Sequence, residues 1–214
     1  DEELAERRKN KQGLTRPELA IVLSYSKIWL YNKLVQSDVP EDPYLSKELE
    51  RYFPEPIRRR YRRHLDSHRL KREIIVTATT NSLVNRMGPV FALRAQEDTG
   101  ADTAAIARAY TIAREVFDMR DLWSEIEALD NRVPAQTQYA MMYQTSRLLR
   151  HMTYWFLGHH GRDLDIEKSV LRLAPDVRML ARQLGEVLVG GDLQRYRQAQ
   201  AQLNSAGVPE RIAG

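Results

Sequence analysis

The densest concentration of chemically capable side chains is Arg58-Arg59-Arg60-Tyr61-Arg62-Arg63, extended by Arg69, Lys71 and Arg72. Clustered guanidinium groups neutralise phosphates, and a tyrosine among them can stack on a base, so this segment is a candidate nucleic-acid contact. On a helix, however, these arginines spread over several faces and form no single basic stripe. Acidic partners are also close at hand in Glu48, Glu50, Glu55, Asp66 and Glu73. Local pairing into a solvated or inter-domain salt-bridged face is therefore the favoured reading, and a stand-alone nucleic-acid-binding module using the Arg58–Arg63 cluster is the alternative. That alternative requires tight binding that weakens steeply with salt.

Other candidate chemistry is thinner. His64 and His68 are four apart and would share one face of a continuous helix, as metal ligands can. The remaining ligands of a zinc site cannot be identified, and a helix break near Ser67 would separate the pair. His159 and His160 fall in an expected loop. No metal ligand is assigned. Seating a dinucleotide needs a strand, a Gly-rich turn and a helix N-terminus, and the sequence has no G-x-G-x-x-G. Gly190-Gly191 follows a helical stretch and reads as a helix C-cap. Past the first residues the lysines are Lys27, Lys33, Lys47, Lys71 and Lys168, none in the Gly-lined setting of an amino-acid dehydrogenase. The expectation is no catalytic residue, no cofactor-binding residue and no cofactor in this chain. Leu14 to Leu34 opens like a helix-turn-helix DNA reader, but Ser24-Tyr25-Ser26 supplies no glycine for the turn, and one uninterrupted helix is expected.

The elements that would position these groups are helices throughout. Apolar residues return every three or four positions, and period-two alternation is nearly absent. The spacing predicts an all-α, irregular multi-helix bundle or array of about nine to ten helices. Thr15-Arg-Pro-Glu is a capping box, with Glu18 reaching back to the Thr15 amide, and opens a helix to about Gln36. Its apolar side carries Leu19, Val22, Leu23, Leu30 and Leu34. Further helices are expected from Asp42 to Tyr52, Pro56 to Leu65, and His68 to Met87, where Gly88-Pro89 ends the last with glycine in the left-handed C′ conformation. Then come 90–98, Asp102 to Phe117, and Arg120 to Leu129. The longest runs from Pro134 to Leu157 and is apolar on two faces: Tyr139, Met142, Leu149 and Phe156 on one, Met141, Leu148 and Trp155 on the other. Such a helix is expected inside a bundle. Pro175 to Val189 and Asp192 to Asn204 complete the series. Residues 1–12 read as a polar lead-in, 13–158 as the main helical domain, and 159–214 as a smaller helical subdomain beyond the Gly- and charge-rich link His159–Asp165.

Composition narrows the classes further. The 43% hydrophobic fraction supports a core, and a net charge of +4 from 33 cationic and 29 anionic side chains leaves only a weak overall field. A nucleic-acid or membrane partner would need a local patch, and neither is expected. With no cysteine, disulfides, thiolate zinc sites and cysteine nucleophiles are excluded together. No apolar run approaches the roughly 18 residues that span a bilayer, and the N-terminal residues lack a signal-peptide core, so a cytoplasmic location is expected.

Several ordered blocks carry a family resemblance. They begin with Gly13-Leu-Thr-Arg-Pro-Glu-Leu-Ala-Ile-Val-Leu-Ser-Tyr-Ser-Lys-Ile-Trp-Leu and continue with Ser37-Asp-Val-Pro-Glu-Asp-Pro-Tyr-Leu and Arg51-Tyr-Phe-Pro. His68-Arg-Leu-Lys-Arg-Glu-Ile-Ile, Asn81-Ser-Leu-Val-Asn-Arg-Met-Gly-Pro, Ile106-Ala-Arg-Ala-Tyr and Ala128-Leu-Asp-Asn-Arg-Val-Pro-Ala follow in order. This pattern resembles the C-terminal helical region of the large bacterial NAD-dependent glutamate dehydrogenases over most of residues 4–157, and more loosely beyond, to Gly207-Val-Pro-Glu. The resemblance implies a parent enzyme that oxidatively deaminates L-glutamate to 2-oxoglutarate and ammonium with NAD. It also implies that this chain is a non-catalytic part of that longer polypeptide. Its partners would be the catalytic domain of the same polypeptide and other copies in a homo-oligomer, in a scaffold, contact or regulatory role.

Overall fold

The computed structural model describes residues 2–160 and 164–213, leaving aside the side chains of Leu4 and His160. Among the described residues there are thirteen α-helices, one 3₁₀ turn and no strand, so the all-α expectation holds. Helices beyond the expected set are α1 (Glu2–Lys9) and the four-residue α13 (Glu210–Ala213), while the four-residue α11 (Leu184–Val187) lies within the helix expected from Pro175 to Val189. The α1 segment falls in the expected polar lead-in; Arg7 gives it an anchor by pairing with Glu3 inside the helix and with Glu18 outside it.

Contacts divide the chain into two compact units, Asp1–Arg94 and Ala95–Gly214. This division differs from the one expected near 159; residues 161–163 of that expected link lie outside the described residues. In the first unit, α2 (Arg16–Val35) starts at the Thr15 cap, with Pro17 in its first turn. As expected, the Glu18 carboxylate accepts from the Thr15 backbone N–H at 2.7 Å and also from its hydroxyl at 2.8 Å. A 3₁₀ turn, Val39–Glu41, precedes α3 (Ser46–Tyr52), α4 (Glu55–Leu65) and α5 (Lys71–Met87). Asp42 was expected to cap α3. Instead its carboxylate accepts from the Tyr44 N–H at 2.9 Å in a tight turn, which delays the helix to Ser46. The core of this unit is made where α2, α3 and the 3₁₀ turn pack on α5, burying Leu30, Leu34, Leu45, Leu49, Ile75 and Leu83.

Gly88 ends α5, but at φ 90° and ψ 166°, not in the expected left-handed helical conformation. Pro89 accounts for this, because a residue before proline is driven to extended ψ. Only glycine combines that ψ with a positive φ at low cost. The helix α6 (Phe91–Thr99) spans the border between the units.

The second unit is built around α7 (Thr103–Val116), which is buried along nearly its whole length. Asp102 caps it as expected, accepting from the Ala105 N–H at 2.8 Å. After α8 (Met119–Glu127), the long α9 (Ala135–His160) packs on α7 and α8. It runs through Gly158, past the expected stop, because Phe156 and Leu157 are buried beside the glycine and their packing outweighs its cost of about 1 kcal/mol in a helix. The expected two-sided burial of α9 is not found. Leu149 and Phe156 are buried, and so is Met141 from the other expected face, but Tyr139, Leu148 and Trp155 are exposed. Helix α10 (Ile166–Arg182) starts at Asp165, whose side chain accepts from the Lys168 N–H at 2.9 Å, and packs on α7. Pro175 therefore lies inside a helix and does not start one. Gly190-Gly191 opens α12 (Gly190–Ser205) and does not cap the end of its predecessor; Leu188 and Val189 are extended between the helices. A second small core joins Ile126, Leu129 and Met141 to Val208 and Ala213 from the final turn.

Candidate functional site

In the first unit, α4 presents the arginines. Pro56 sits in its opening turn, and the helix is interrupted at Tyr61, where φ is −121° and ψ 21°. Arg58, Arg59 and Arg62 recur at helical spacing, so one side of α4 gathers them with Leu65 around an open cleft of about 540 Å³, which Glu50 and Glu55 also line. The lining cations are largely answered by carboxylates: Arg59 Nε lies 3.6 Å from Glu55 and Arg62 Nη2 3.5 Å from Glu50. Arg58 Nε is buried with no hydrogen-bond acceptor among the described residues. Arg60 leaves this group and lies 5.5 Å from the Tyr61 ring centroid. The cluster is thus split over different sides of a broken helix, as its spacing suggested.

Arg72, expected to extend the cluster, does something else. Its guanidinium donates to the Val35 carbonyl at 2.7 Å and the Ser37 carbonyl at 3.2 Å and pairs with Glu41. A cation on the last carbonyls of α2 suits the negative end of that helix. His64 and His68 do not share a helix, since α4 ends at Leu65 and α5 begins at Lys71. His68 lies 5.4 Å from the Phe53 ring and accepts from the Leu70 N–H at 3.2 Å through Nδ1. His159, expected in a loop, is the penultimate residue of α9, and its ring stacks on Trp155 at 4.4 Å. Among the described residues no group of three or more His, Asp or Glu side chains stands together in a way that could hold a metal ion. Of the lysines, Lys47 sits over the Tyr44 ring at 3.9 Å.

The second unit holds the polar features that the sequence did not single out. Arg114 is 1% exposed, and its Nε and Nη2 reach Glu115 at 2.8 and 2.7 Å, with Arg120 Nε at 3.2 Å from the same carboxylate. Adjacent residues do not normally face each other on a helix, so no periodicity marks this pair. Asp118 takes a left-handed conformation, φ 47° and ψ 37°, and accepts from Arg178 Nε at 2.5 Å and Nη2 at 2.7 Å. The aspartate holds the Arg178 guanidinium pKa above its ordinary value. This fork fastens α10 to the turn between α7 and α8. An apolar crevice of about 330 Å³ opens between α8, α9, α12 and α13, bounded by Leu122, Met141, Leu203 and Ile212 with Gln144 and Thr145. Trp123 Nε1 donates to Thr145 Oγ1 at 3.1 Å beside it. No helix among the described residues is long and apolar enough to cross a membrane.

These features hold helices in place; none of them brings a nucleophile, a base and an oxyanion donor together. Residues 11–214 match the family model described as glutamate dehydrogenase, C-terminal. The similarity thus extends through the last quarter of the chain, where the sequence blocks were looser. The chain is 45% identical over 213 residues to an NAD-specific glutamate dehydrogenase of Halomonas elongata. It is 41% identical to the protein of that name from Pseudomonas aeruginosa and 30% identical to that from Mycobacterium tuberculosis. In each case the alignment covers 100% of this chain and 13% of the relative.

Proposed function

The chain belongs to the family of glutamate dehydrogenase C-terminal regions, and from that premise we propose that it is the non-catalytic helical region of an NAD-dependent glutamate dehydrogenase. The longer polypeptide would oxidatively deaminate L-glutamate to 2-oxoglutarate and ammonium, passing hydride to NAD. The observation that carries this reading is the match of the chain along its whole length to a 13% portion of relatives that bear that enzyme's name.

Within the parent this region acts as a scaffold. In its second unit, helices are tied by buried packing around α7 and by the Arg178–Asp118 fork. A stiff body fixed to the catalytic domain, or to another subunit of a homo-oligomer, sets the geometry in which that domain's cleft closes, and closure steps govern turnover in many enzymes. A region so fixed would also be able to pass a regulatory signal to that cleft. The expected location is the cytoplasm, and NAD binds elsewhere in the polypeptide.

Deleting the segment that corresponds to residues 13–213 from the full-length enzyme tests the proposal. The expected outcome is loss of subunit assembly or of turnover, with dinucleotide binding by the remaining polypeptide retained. A deletion variant with full turnover and unchanged assembly would overturn the scaffold role.

A further inference from the structure

Helix α2 is apolar on two sides, and the structure uses only one of them. Leu30 and Leu34, 1% and 0% exposed, face α5 and the 3₁₀ turn. Ile21 and Leu30 are nine residues apart, about two and a half turns, which places them on opposite sides of the helix. Ile21, Tyr25 and Ile28 follow the i, i+4, i+7 spacing of a single strip on that far side. They are 56%, 69% and 54% exposed. The polar residues nearest this strip are Glu18, Ser24 and Asn32, and the one charge among them, Glu18, is already engaged by Thr15 and Arg7. Near the start of the helix Leu19, on the side of Leu30, is also exposed.

An i, i+4, i+7 strip of large apolar groups is how a helix offers itself to another packed surface. We propose that the Ile21–Tyr25–Ile28 strip is the docking face of this region, and that its occupant is an uncharged apolar surface on the remainder of the same polypeptide. The inference rests on the scaffold reading above and names the surface through which that scaffold acts. This chain aligns with only 13% of each relative, so most of each relative lies outside the aligned segment. Tethering raises the effective concentration of such a partner to about millimolar, an advantage a separate copy of the chain lacks. An acidic or basic partner is disfavoured, because the one charge beside this strip, Glu18, is already taken up by Arg7 and the Thr15 cap.

The test is hydroxyl-radical footprinting of Tyr25 in the full-length enzyme, both assembled and diluted to dissociated subunits, with the urea-unfolded polypeptide as the reference. The expected result is modification several-fold slower than in urea, whether or not the subunits are associated. Reactivity in the native enzyme equal to that in urea overturns the proposal. Protection lost on dissociation also overturns it, since the occupant would then be a second copy. The outcome is separable from the deletion experiment. A reactive Tyr25 in an enzyme that needs the region removes this docking face and leaves the scaffold role standing; a protected Tyr25 in an enzyme indifferent to the deletion does the reverse.

Discussion

At Glu18 a single carboxylate answers the Thr15 amide, the Thr15 hydroxyl and the Arg7 guanidinium. The two Thr15 bonds, chiefly the one from the amide, and then Arg7 hold its pKa below the ordinary carboxylate value. A depressed folded-state value means stabilisation that is present above the unfolded pKa and is lost as pH falls through the folded one. Glu18→Gln should therefore lower stability at neutral pH and flatten the acid limb of the Tm-versus-pH curve. Parallel curves for the two proteins would show that this cap contributes nothing measurable. Glu115 presents the opposite environment, because its partner Arg114 is buried. Removing one member of a buried ion pair leaves the other's charge poorly compensated, at a cost of about 3–5 kcal/mol. Glu115→Ala should show that loss in urea unfolding, and an unshifted midpoint would mean that Arg114 is satisfied without it.

Among the elements, α9 separates apolar periodicity from actual burial. Leu149→Ala should cost about 2–5 kcal/mol and Phe156→Ala about 3–5 kcal/mol, since both side chains are fully enclosed. Tyr139→Ala, at a residue 73% exposed, should stay within about 0.5 kcal/mol. Reversal of that order in chemical denaturation would put the wrong side of α9 in the core. The capping signals at Thr15 and Asp102 were readable because a cap is a contact between neighbours three residues apart. Pro175 misled for the matching reason: proline at a helix start is the commoner local pattern, and the cap that sets the start, Asp165, lies ten residues earlier. Helix α10 is held by packing on α7, which a local pattern does not carry.

For the molecule as a whole, the arginine cluster bears on function mainly through its partners. Arg59 and Arg62 lie beside Glu55 and Glu50, and Arg72 serves the end of α2. Such pairing reduces the free positive potential that phosphate recognition requires. The expectation that no dinucleotide is seated in this chain can be tested directly. Calorimetric titration of this chain with NAD and with glutamate is expected to show no binding, and micromolar affinity for either would relocate the enzyme's site into this region. The candidate site was legible only in part. The split of Arg58–Arg63 over different helix sides followed from its spacing. The Arg114–Glu115 and Arg178–Asp118 pairs did not, since the first joins residues that helical geometry ordinarily keeps apart and the second joins residues 60 apart in the chain.

Residue order alone established the helical class, most element positions and the family, because periodicity, caps and motif blocks are written in short stretches of neighbouring side chains. Which apolar faces are covered was decided by tertiary packing. Leu30 and Ile21 lie on one helix and are equally apolar, yet α5 reaches only the first. Burial depends on what arrives from elsewhere in the polypeptide, and no local pattern records that.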